Sequence, residues 1–236
     1  MNARWIELDG AVNVRDLGGL ATTDGRTTRF GKVLRSDNLQ NLTPRDLRTL
    51  LENYRLTDVV DLRSRTEVDL EGPGPLTRVP QVTIHHLSLF AESGRHTDVT
   101  ADTLDTDKVL PWQTHPSAAG PDRPVEHYLG YLRDRADSVI AALRVMARTR
   151  GAAVVHCAAG KDRTGVVVAL TLAVAGVPHE EIAIDYGLSG DVIDEIMARL
   201  SKSPTYARDS AAQEGPRDAS AHTPRAETMT RVLELL

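Results

Sequence analysis

The stretch that decides the fold is AAVVHCAAGKDRTGVVVAL, residues 152–170. A short apolar run ends at His156, a loop of small and charged residues follows, and a second apolar run starts after Thr164. The first run is typical of a buried strand and the second of a buried helix. Cys157, the only cysteine of the chain, lies between them. Because ligands bind at the carboxyl ends of parallel strands, the pattern predicts a functional strand–loop–helix unit centred on Cys157.

The rest of the chain also alternates between strand and helix patterns. Thr43 and Pro44 have the residue types of an N-cap and a first helical position, so they mark a helix start. Such alternation predicts an α/β fold with a central, mostly parallel sheet flanked by helices. Strands are predicted within 31–39, 56–64, 82–89 and 152–156, and helices over 42–53, 125–148, 164–176, 178–186, 190–200 and 223–236.

Length and composition favour one globular domain over residues 1–236. The polar stretch 91–124 is predicted to form a lid-like insert, and residues 201–222 form a second polar segment. A net charge of −5 gives no electrostatic case for binding nucleic acid. One cysteine excludes an internal disulfide framework and a multi-cysteine zinc site.

The N-terminus has no signal-peptide pattern, and no apolar run approaches the ~18 residues needed to span a bilayer. We therefore expect a cytoplasmic protein without integral membrane association, with export by another route left open. A monomer is the favoured state.

The loop has the composition of an anion site. Ala158, Ala159 and Gly160 are small enough for a ligand to approach the backbone amides. The helix that begins near Thr164 directs its unpaired N–H groups and its positive dipole end at the same place. We therefore expect a phosphate-sized anion to bind there.

The same field favours the thiolate of Cys157, which is the nucleophilic form of cysteine. Arg163, six positions later, can return over the pocket and bind two phosphate oxygens with its planar guanidinium. Thr164 can donate a hydrogen bond to the sulfur, and His156 is expected to hold the loop. The predicted chemistry is attack on phosphorus, a cysteinyl-phosphate, and its hydrolysis.

Asp162 is the unusual member of the loop, because phosphate would repel its carboxylate. It either faces outward or is protonated when substrate is bound, and a protonated carboxyl there could act as the general acid. A nucleotide-binding Walker loop would need glycine at 155 and serine or threonine at 162. Val155 and Asp162 exclude that pattern.

The segments HCAAGKDRTG (156–165), NVRDLGG (13–19) and VVDLRSRTEV (59–68) together resemble the bacterial family of the cysteine-dependent protein tyrosine phosphatases. The resemblance implies a sheet flanked by helices, a helical lid in some members, and phosphate-ester hydrolysis without metal or cofactor. By motif match, Cys157 is the nucleophile, Arg163 binds phosphate, and Lys161 and Asp162 line the mouth. Asp61 also matches an active-site position of the family. Relatives continue beyond a helix such as 223–236.

The sequence has no Trp-Pro-Asp segment of the eukaryotic phosphatases, so the general acid is open. Asp162 is the first candidate and Asp61 the second. Asp37 is a distant third, for which a solvated strand end is the simpler interpretation. The pair Arg15-Asp16 is read equally as a structural pair and as a substrate contact, and Arg63 is favoured as a loop brace over a phosphate ligand.

Phosphotyrosine in proteins is the first candidate substrate, with phosphoserine or phosphothreonine also considered. A phosphoinositide is the alternative, because Lys161 adds positive charge and the pattern Cys-x-x-Gly-Lys-x-Arg also resembles phosphoinositide phosphatases. A phosphate-binding module without turnover is the alternative of another class, although the presence of Cys157, Asp162 and Arg163 argues against it. A sulfurtransferase also holds cysteine in an anion loop, but the HC…RTG pattern is not expected there.

Overall fold

The structure is a computed structural model that describes residues 4–90, 123–207 and 223–236. Its centre is a five-stranded sheet in the order β1-β2-β5-β3-β4. Strand β1 pairs antiparallel with β2, and the other neighbours are parallel. This confirms the predicted α/β class with a mostly parallel sheet. The strands are β1 (Arg15–Asp16), β2 (Val33–Ser36), β3 (Leu56–Asp61), β4 (Thr83–His86) and β5 (Ala152–His156).

Helices cover both faces of the sheet and bury two apolar clusters. The larger cluster packs α3, α4, α5, α6 and α8 on one face, and the smaller one packs the α1 region on the other. Every residue of β5 is buried, so its carboxyl end is held rigidly from both sides. The helices are α1 (Pro44–Arg48), α2 (Arg65–Glu71), α3 (Arg123–Asp134), α4 (Ala136–Arg148), α5 (Asp162–Val174), α6 (His179–Gly187), α7 (Ile193–Leu200) and α8 (Ala226–Glu234).

Helix α1 begins as its sequence predicts. The Thr43 hydroxyl accepts from the Asp46 N–H, and the Asp46 carboxylate accepts from the Thr43 N–H, which forms a capping box. Pro44 occupies the first turn, where its missing N–H costs nothing. The predicted helix over 42–53 continues past α1 as a π-helical turn, Thr49–Asn53.

The paired glycines Gly18 and Gly19 lie where the backbone closely approaches Phe30. A Cβ on Gly18 would lie 2.4 Å from the Cα of Phe30, and Gly19 has φ of +83°. A side chain at either position would therefore be strained.

The single helix predicted over 125–148 is wrong, because the structure has two helices with a break at Arg135. That residue has φ −137° and ψ 42°, which lies outside the helical region. Its guanidinium donates to the Phe90 carbonyl at 2.8 Å and to the Ser138 hydroxyl at 2.5 Å. These contacts replace the helical continuation.

Of the predicted insert 91–124, residues 91–122 lie outside the described part of the chain, and 123 and 124 already belong to α3. Residues 201–207 of the predicted polar segment form turns that the Glu71 carboxylate holds through Ser203 and Thr205, and 208–222 lie outside the described part. Within the described ranges, no helix combines the length and apolar character that a membrane span requires.

Candidate active site

Cys157 lies at the turn between the central strand and a buried helix. It follows β5 directly, and α5 begins at Asp162. Its side chain is only 2% exposed. The predicted strand–loop–helix unit is therefore present, with the thiol at the carboxyl edge of the sheet. Residues 157–163 are called the anion loop below.

Hydrogen bonds from outside the anion loop hold three successive carbonyl groups. Ala158 O accepts from the Asn38 N–H at 3.0 Å, and Ala159 O accepts from Asn13 Nδ2 at 3.1 Å. Gly160 O accepts from Arg35 Nη2 at 2.8 Å and from Asn13 Nδ2 at 3.2 Å. In a planar trans peptide the C=O and the following N–H point in opposite directions. The N–H groups of residues 159–161 therefore point away from these partners, as an anion-binding nest requires.

The end of β2 forces glycine at position 160. Gly160 has φ of +66°, in the left-handed region. A Cβ there would lie 2.3 Å from Ser36 O and 2.6 Å from Asp37 N. The loop therefore rests backbone to backbone on β2.

The simpler interpretation of Asp37 from the sequence, a solvated strand end, is wrong. It is 2% exposed and therefore not a solvated strand end. One carboxylate oxygen accepts from Arg199 Nε at 2.9 Å, and the other accepts from the Val12 N–H at 3.0 Å. This engagement favours a structural role and not that of a general acid.

A buried charge cluster lies behind the loop and comprises Arg4, Arg15, Arg35 and Asp185, called the Asp185 cluster. Arg4 Nη1 and Arg35 Nη1 each lie 2.8 Å from the Asp185 carboxylate, and Arg15 Nε lies at 3.4 Å. Burial would raise the pKa of Asp185, but the three guanidinium groups hold it well below its ordinary value. Burial and the neighbouring Arg35 lower the pKa of Arg15 to about 9.

In the structure Arg15 and Asp16 have separate partners, an arrangement that neither interpretation of the sequence described. Arg15 is fully buried and bonds Asp185 and Asn13, and its guanidinium also lies 5.1 Å from the ring of Trp5. Asp16 instead accepts from the backbone N–H groups of Gly18 and Gly31, at 2.8 and 2.7 Å. Both residues thus have structural partners, and these partners are not each other.

Arg163 is fixed by a carboxylate from the opposite side of the site. Its Nη1 donates to Glu67 Oε2 at 2.6 Å, and its Nη2 donates to Glu67 Oε1 at 2.8 Å. The Tyr206 hydroxyl also donates to Glu67, at 2.5 Å. Burial would raise the pKa of Glu67, but the charge and hydrogen bonds of Arg163 lower it below its usual value. Nη1 also donates to the Leu62 carbonyl at 3.4 Å and Nη2 to the Tyr206 hydroxyl at 3.5 Å, so an anion would bind through Nε or replace one of these longer contacts.

Glu67 is in turn placed by the start of α2. Its carboxylate accepts from the Ser64 N–H at 2.7 Å, and the Ser64 hydroxyl accepts from the Glu67 N–H at 3.2 Å. This capping box holds Glu67 where Arg163 reaches it. Phe90 packs on the other side, with its ring centroid 4.9 Å from the Arg163 guanidinium carbon.

Asp162 is half-buried at the first turn of α5. Its Oδ1 accepts from the Tyr128 hydroxyl at 2.5 Å, and the Tyr128 and Tyr186 hydroxyls lie 2.7 Å apart. The Lys161 ammonium is 3.6 Å from the same oxygen. Burial would raise the pKa of Asp162, but the charge of Lys161 and the bond from Tyr128 lower it below its ordinary value. Without an anion in the site, Asp162 is therefore ionised.

Asp61 lies at the end of β3 and binds its own neighbour. Arg63 Nε and Nη2 lie 2.9 and 2.6 Å from its two carboxylate oxygens, and the Arg63 N–H lies at 3.0 Å. Burial opposes ionisation, yet His156, whose imidazole is charged in the acid range, and the guanidinium of Arg63 keep the pKa of Asp61 below its ordinary value. Both oxygens are thus committed, which favours a bracing role for Asp61 and Arg63.

His156 supports the loop from the strand side. Its Nδ1 lies 3.2 Å from the Cys157 carbonyl oxygen, and its Nε2 lies 3.7 Å from Asp61. Burial lowers the pKa of His156 to about 4, so the imidazole is neutral at physiological pH. This arrangement agrees with the holding role expected from the sequence.

Thr164 contributes a hydroxyl that is completely buried and has no hydrogen-bond partner within the described part of the chain. A buried hydroxyl in that state is a donor available to a thiolate or an anion. The described residues contain no group of three or more His, Cys, Asp or Glu placed to hold a metal ion.

Sequence reasoning missed the residues that bind the loop and its arginine from a distance, namely Asn13, Arg35, Glu67, Tyr128, Asp185, Tyr186 and Tyr206. Only Glu67 carried a local signal, the Ser-x-x-Glu capping pattern of 64–67. That pattern predicts a helix start, and it does not reveal the pairing with Arg163, 96 positions away.

Comparison with known proteins gives one consistent answer. A family model described as "Tyrosine phosphatase family" matches residues 6–236. The chain is 32% identical over 209 residues to the triple specificity protein phosphatase PtpB of Mycobacterium tuberculosis, which covers 83% of this chain and 73% of that protein. It is also 29% identical over 161 residues to a tyrosine-protein phosphatase of Nostoc commune, which covers 68% of this chain and 49% of that protein.

Proposed function

Because the chain belongs to the tyrosine phosphatase family, we propose that it acts as a protein-tyrosine phosphatase through a cysteinyl-phosphate formed on Cys157. The observation that carries this proposal is the pairing of Arg163 with Glu67 beside the buried thiol. That pair fixes the guanidinium beside the loop, where its other N–H groups can bind phosphoryl oxygens in place of the longer contacts to Leu62 and Tyr206. The loop amides of 159–161 bind the same oxygens from the other side.

In the first step the Cys157 thiolate attacks phosphorus, and the bond from phosphorus to the tyrosyl oxygen breaks. The electron pair leaves with that oxygen, which takes a proton from Asp162 and departs as a phenol. In the second step water attacks the cysteinyl-phosphate, Asp162 accepts a proton from that water, and the thiolate leaves with phosphate as the product. Thr164 donates to the sulfur in both steps.

Asp162 is the general acid in this scheme for two reasons. One of its oxygens is bound to Tyr128, which leaves the other for the leaving group. A phosphate dianion in the loop raises the pKa of a neighbouring carboxylate and so supplies the protonated form. Asp61 has no oxygen to offer, since Arg63 engages both.

The substrate class is phosphotyrosine in proteins, with phosphoserine and phosphothreonine as secondary substrates. The latter part is supported by the printed name of the mycobacterial relative, a triple specificity protein phosphatase. Lys161 at the mouth would suit a more highly charged phosphoinositide, which stays the alternative. The cytoplasmic location, the single domain and the monomeric state stay predictions.

The decisive experiment compares wild type with Cys157→Ser on a phosphotyrosine peptide. The variant should lose at least about 99% of the turnover, because the alcohol is a far weaker nucleophile than a thiolate. It should still bind phosphate esters, since the loop amides and Arg163 are unchanged. Substantial turnover in Cys157→Ser would contradict the mechanism, and binding without turnover by wild type would favour a non-catalytic module.

A substrate panel completes the test. Phosphotyrosine, phosphoserine and phosphothreonine peptides and phosphoinositide vesicles are compared by kcat/KM with the same wild-type preparation. The highest value should belong to phosphotyrosine peptides. A higher value for phosphoinositide would establish the alternative.

A further inference from the structure

We propose that Asn13 and Arg35 are positioning residues for the anion, because they hold the Ala159 and Gly160 carbonyl oxygens away from it. The inference rests on the proposed function and assigns a role to two residues outside the signature loop. Each acts through a peptide group: the donor binds the carbonyl oxygen, and the next N–H along the chain faces the anion.

The orientation of the Asn13 amide is fixed by a third residue. Arg15 Nη1 donates to Asn13 Oδ1 at 2.6 Å, so that atom is an acceptor. The Nδ2 group must then face the loop, where it lies 3.1 Å from Ala159 O and 3.2 Å from Gly160 O. Asn13 is completely buried, so no water competes for these contacts. A rotated amide would bring an oxygen against two carbonyl oxygens and release the loop.

Arg35 adds charge to the same contact. Its Nη2 donates to Gly160 O at 2.8 Å, and its Nη1 is paired with Asp185. A carbonyl bound to a guanidinium polarises its peptide, which makes the N–H on the far side a stronger donor. The far side of the Gly160 peptide is the N–H of Lys161. Positive charge on Arg35 thus reaches the phosphate through one peptide group.

The composition of the Asp185 cluster supports a role beyond stability. Its three arginines face one carboxylate, so two positive charges are in excess among these four residues. Burying unpaired positive charge is costly, and apolar residues of similar volume would serve the fold as well. Of the three arginines, Arg35 donates to a carbonyl of the anion loop, so its charge is the one that acts on a bound dianion through a peptide group.

Two other buried residues provide matched controls. The Ser189 hydroxyl bonds Asn13, Arg15 and Arg35 but does not contact a loop carbonyl. Arg4 pairs with Asp185 and likewise does not reach the loop. Ser189→Ala therefore disturbs the network, and Arg4→Met removes one of its charges, without removing a carbonyl contact.

The experiment uses the full chain and inorganic phosphate as a competitive inhibitor of aryl-phosphate hydrolysis. We compare Asn13→Ala and Arg35→Met with Ser189→Ala, Arg4→Met and wild type. Urea midpoints and the rate at which neutral iodoacetamide alkylates Cys157 are measured in parallel. Asn13→Ala should raise the inhibition constant of phosphate about tenfold, and Arg35→Met at least as much, because each loses a buried hydrogen bond that orients a donor. The two controls should stay within about twofold of wild type.

The inference is overturned if Asn13→Ala binds phosphate as tightly as Ser189→Ala. It is also overturned if Arg4→Met weakens phosphate binding as much as Arg35→Met, because the effect would then belong to the total charge of the cluster. If Arg35→Met does not fold, Asn13→Ala decides alone. Failure of wild type to hydrolyse or bind phosphate esters would instead remove the proposed function, so the two failures are distinguishable.

Discussion

The end of β3 and the start of α5 each carry an aspartate near the anion loop, and the two are treated very differently. Asp61 is 4% exposed, and Arg63 engages both of its oxygens. Asp162 is half-buried, its hydrogen-bond donor is the neutral phenol of Tyr128, and the Lys161 ammonium lies 3.6 Å from the same oxygen. The contrast teaches that two carboxylates at neighbouring element ends can differ in how much of their hydrogen-bonding capacity is already used, and the one with more left is the better candidate for a general acid.

The largest expected effect is the loss of catalysis in Asp162→Asn. If that loss does not occur, the comparison between the two aspartates breaks. The kcat of Asp162→Asn on a tyrosine-like ester should fall about 10²–10⁴-fold, because the leaving oxygen no longer receives a proton. The loss should shrink for a nitrophenyl ester, whose leaving group needs little protonation. Steady-state kinetics on both esters provides the measurement.

The pH profile of the wild type follows with a definite sign. A general acid must carry its proton, so activity falls as pH rises through the pKa of Asp162. That pKa is lowered in the free protein and raised by a bound dianion, so the falling limb of kcat should lie at higher pH than that of kcat/KM. The limb should disappear in Asp162→Asn. If Asp61→Asn loses the limb and Asp162→Asn keeps it, the assignment is wrong.

A second test uses stability, where Asp61 should matter more than Asp162. Asp61→Asn leaves Arg63 buried without its counter-charge, which should lower the free energy of unfolding by about 3 kcal/mol at neutral pH. The folded-state pKa of Asp61 is below its ordinary value, so its stabilising contribution is present above about pH 4 and is lost as pH falls through the folded pKa.

Urea titrations at neutral pH and near pH 3 measure this difference. The difference in the free energy of unfolding between wild type and Asp61→Asn should narrow at the lower pH. The dependence of kcat on the leaving group should be the same in the variant as in wild type. If the difference in the free energy of unfolding is the same at both pH values, the ionised Asp61–Arg63 pair is not its cause.

The smallest expected effect concerns Tyr128, whose hydroxyl donates to Asp162. Tyr128→Phe removes a hydrogen bond to the ionised form of Asp162, so the pKa of Asp162 rises and the falling limb moves to higher pH by up to about one unit. Lys161, His127 and Arg163 also lower this pKa and remain in the variant. Tyr131→Phe is the matched control, since its hydroxyl bonds His127 and not Asp162. Equal shifts in both variants would contradict the assigned contact.

Sequence reasoning predicted what is local and missed what is distant. The strand, loop and helix around Cys157 followed from apolar runs and small residues, and Thr43 and Pro44 marked the start of α1 correctly. The helix break at Arg135 could not be predicted, because the apolar period runs through it and the competing partner, the Phe90 carbonyl, is 45 residues away. Asp37 looks solvated in its own segment, but the Val12 N–H and Arg199, 25 and 162 positions away, bind its two carboxylate oxygens.

The residues of the candidate site fall into the same two groups, those that a local pattern predicts and those that it does not. Cys157 and Arg163 lie six positions apart, so their roles as nucleophile and phosphate-binding arginine can be proposed from the motif. Their supports come from the other end of the chain or from another helix, as with Asn13 behind Gly160 and Glu67 beside Arg163. No local pattern specifies such a contact, since it depends on how the sheet brings distant segments together.

Phe90, the last described residue before residue 91, is tied to the helices that follow the predicted insert. Its carbonyl accepts from Arg135, and its ring meets Tyr131 edge to face at 5.6 Å. Phe90 is thus held against α3 and against the start of α4. Loop-closure entropy grows only with the logarithm of length, about 0.6 kcal/mol for each doubling. Segments of different length can therefore connect Phe90 to α3 at little thermodynamic cost.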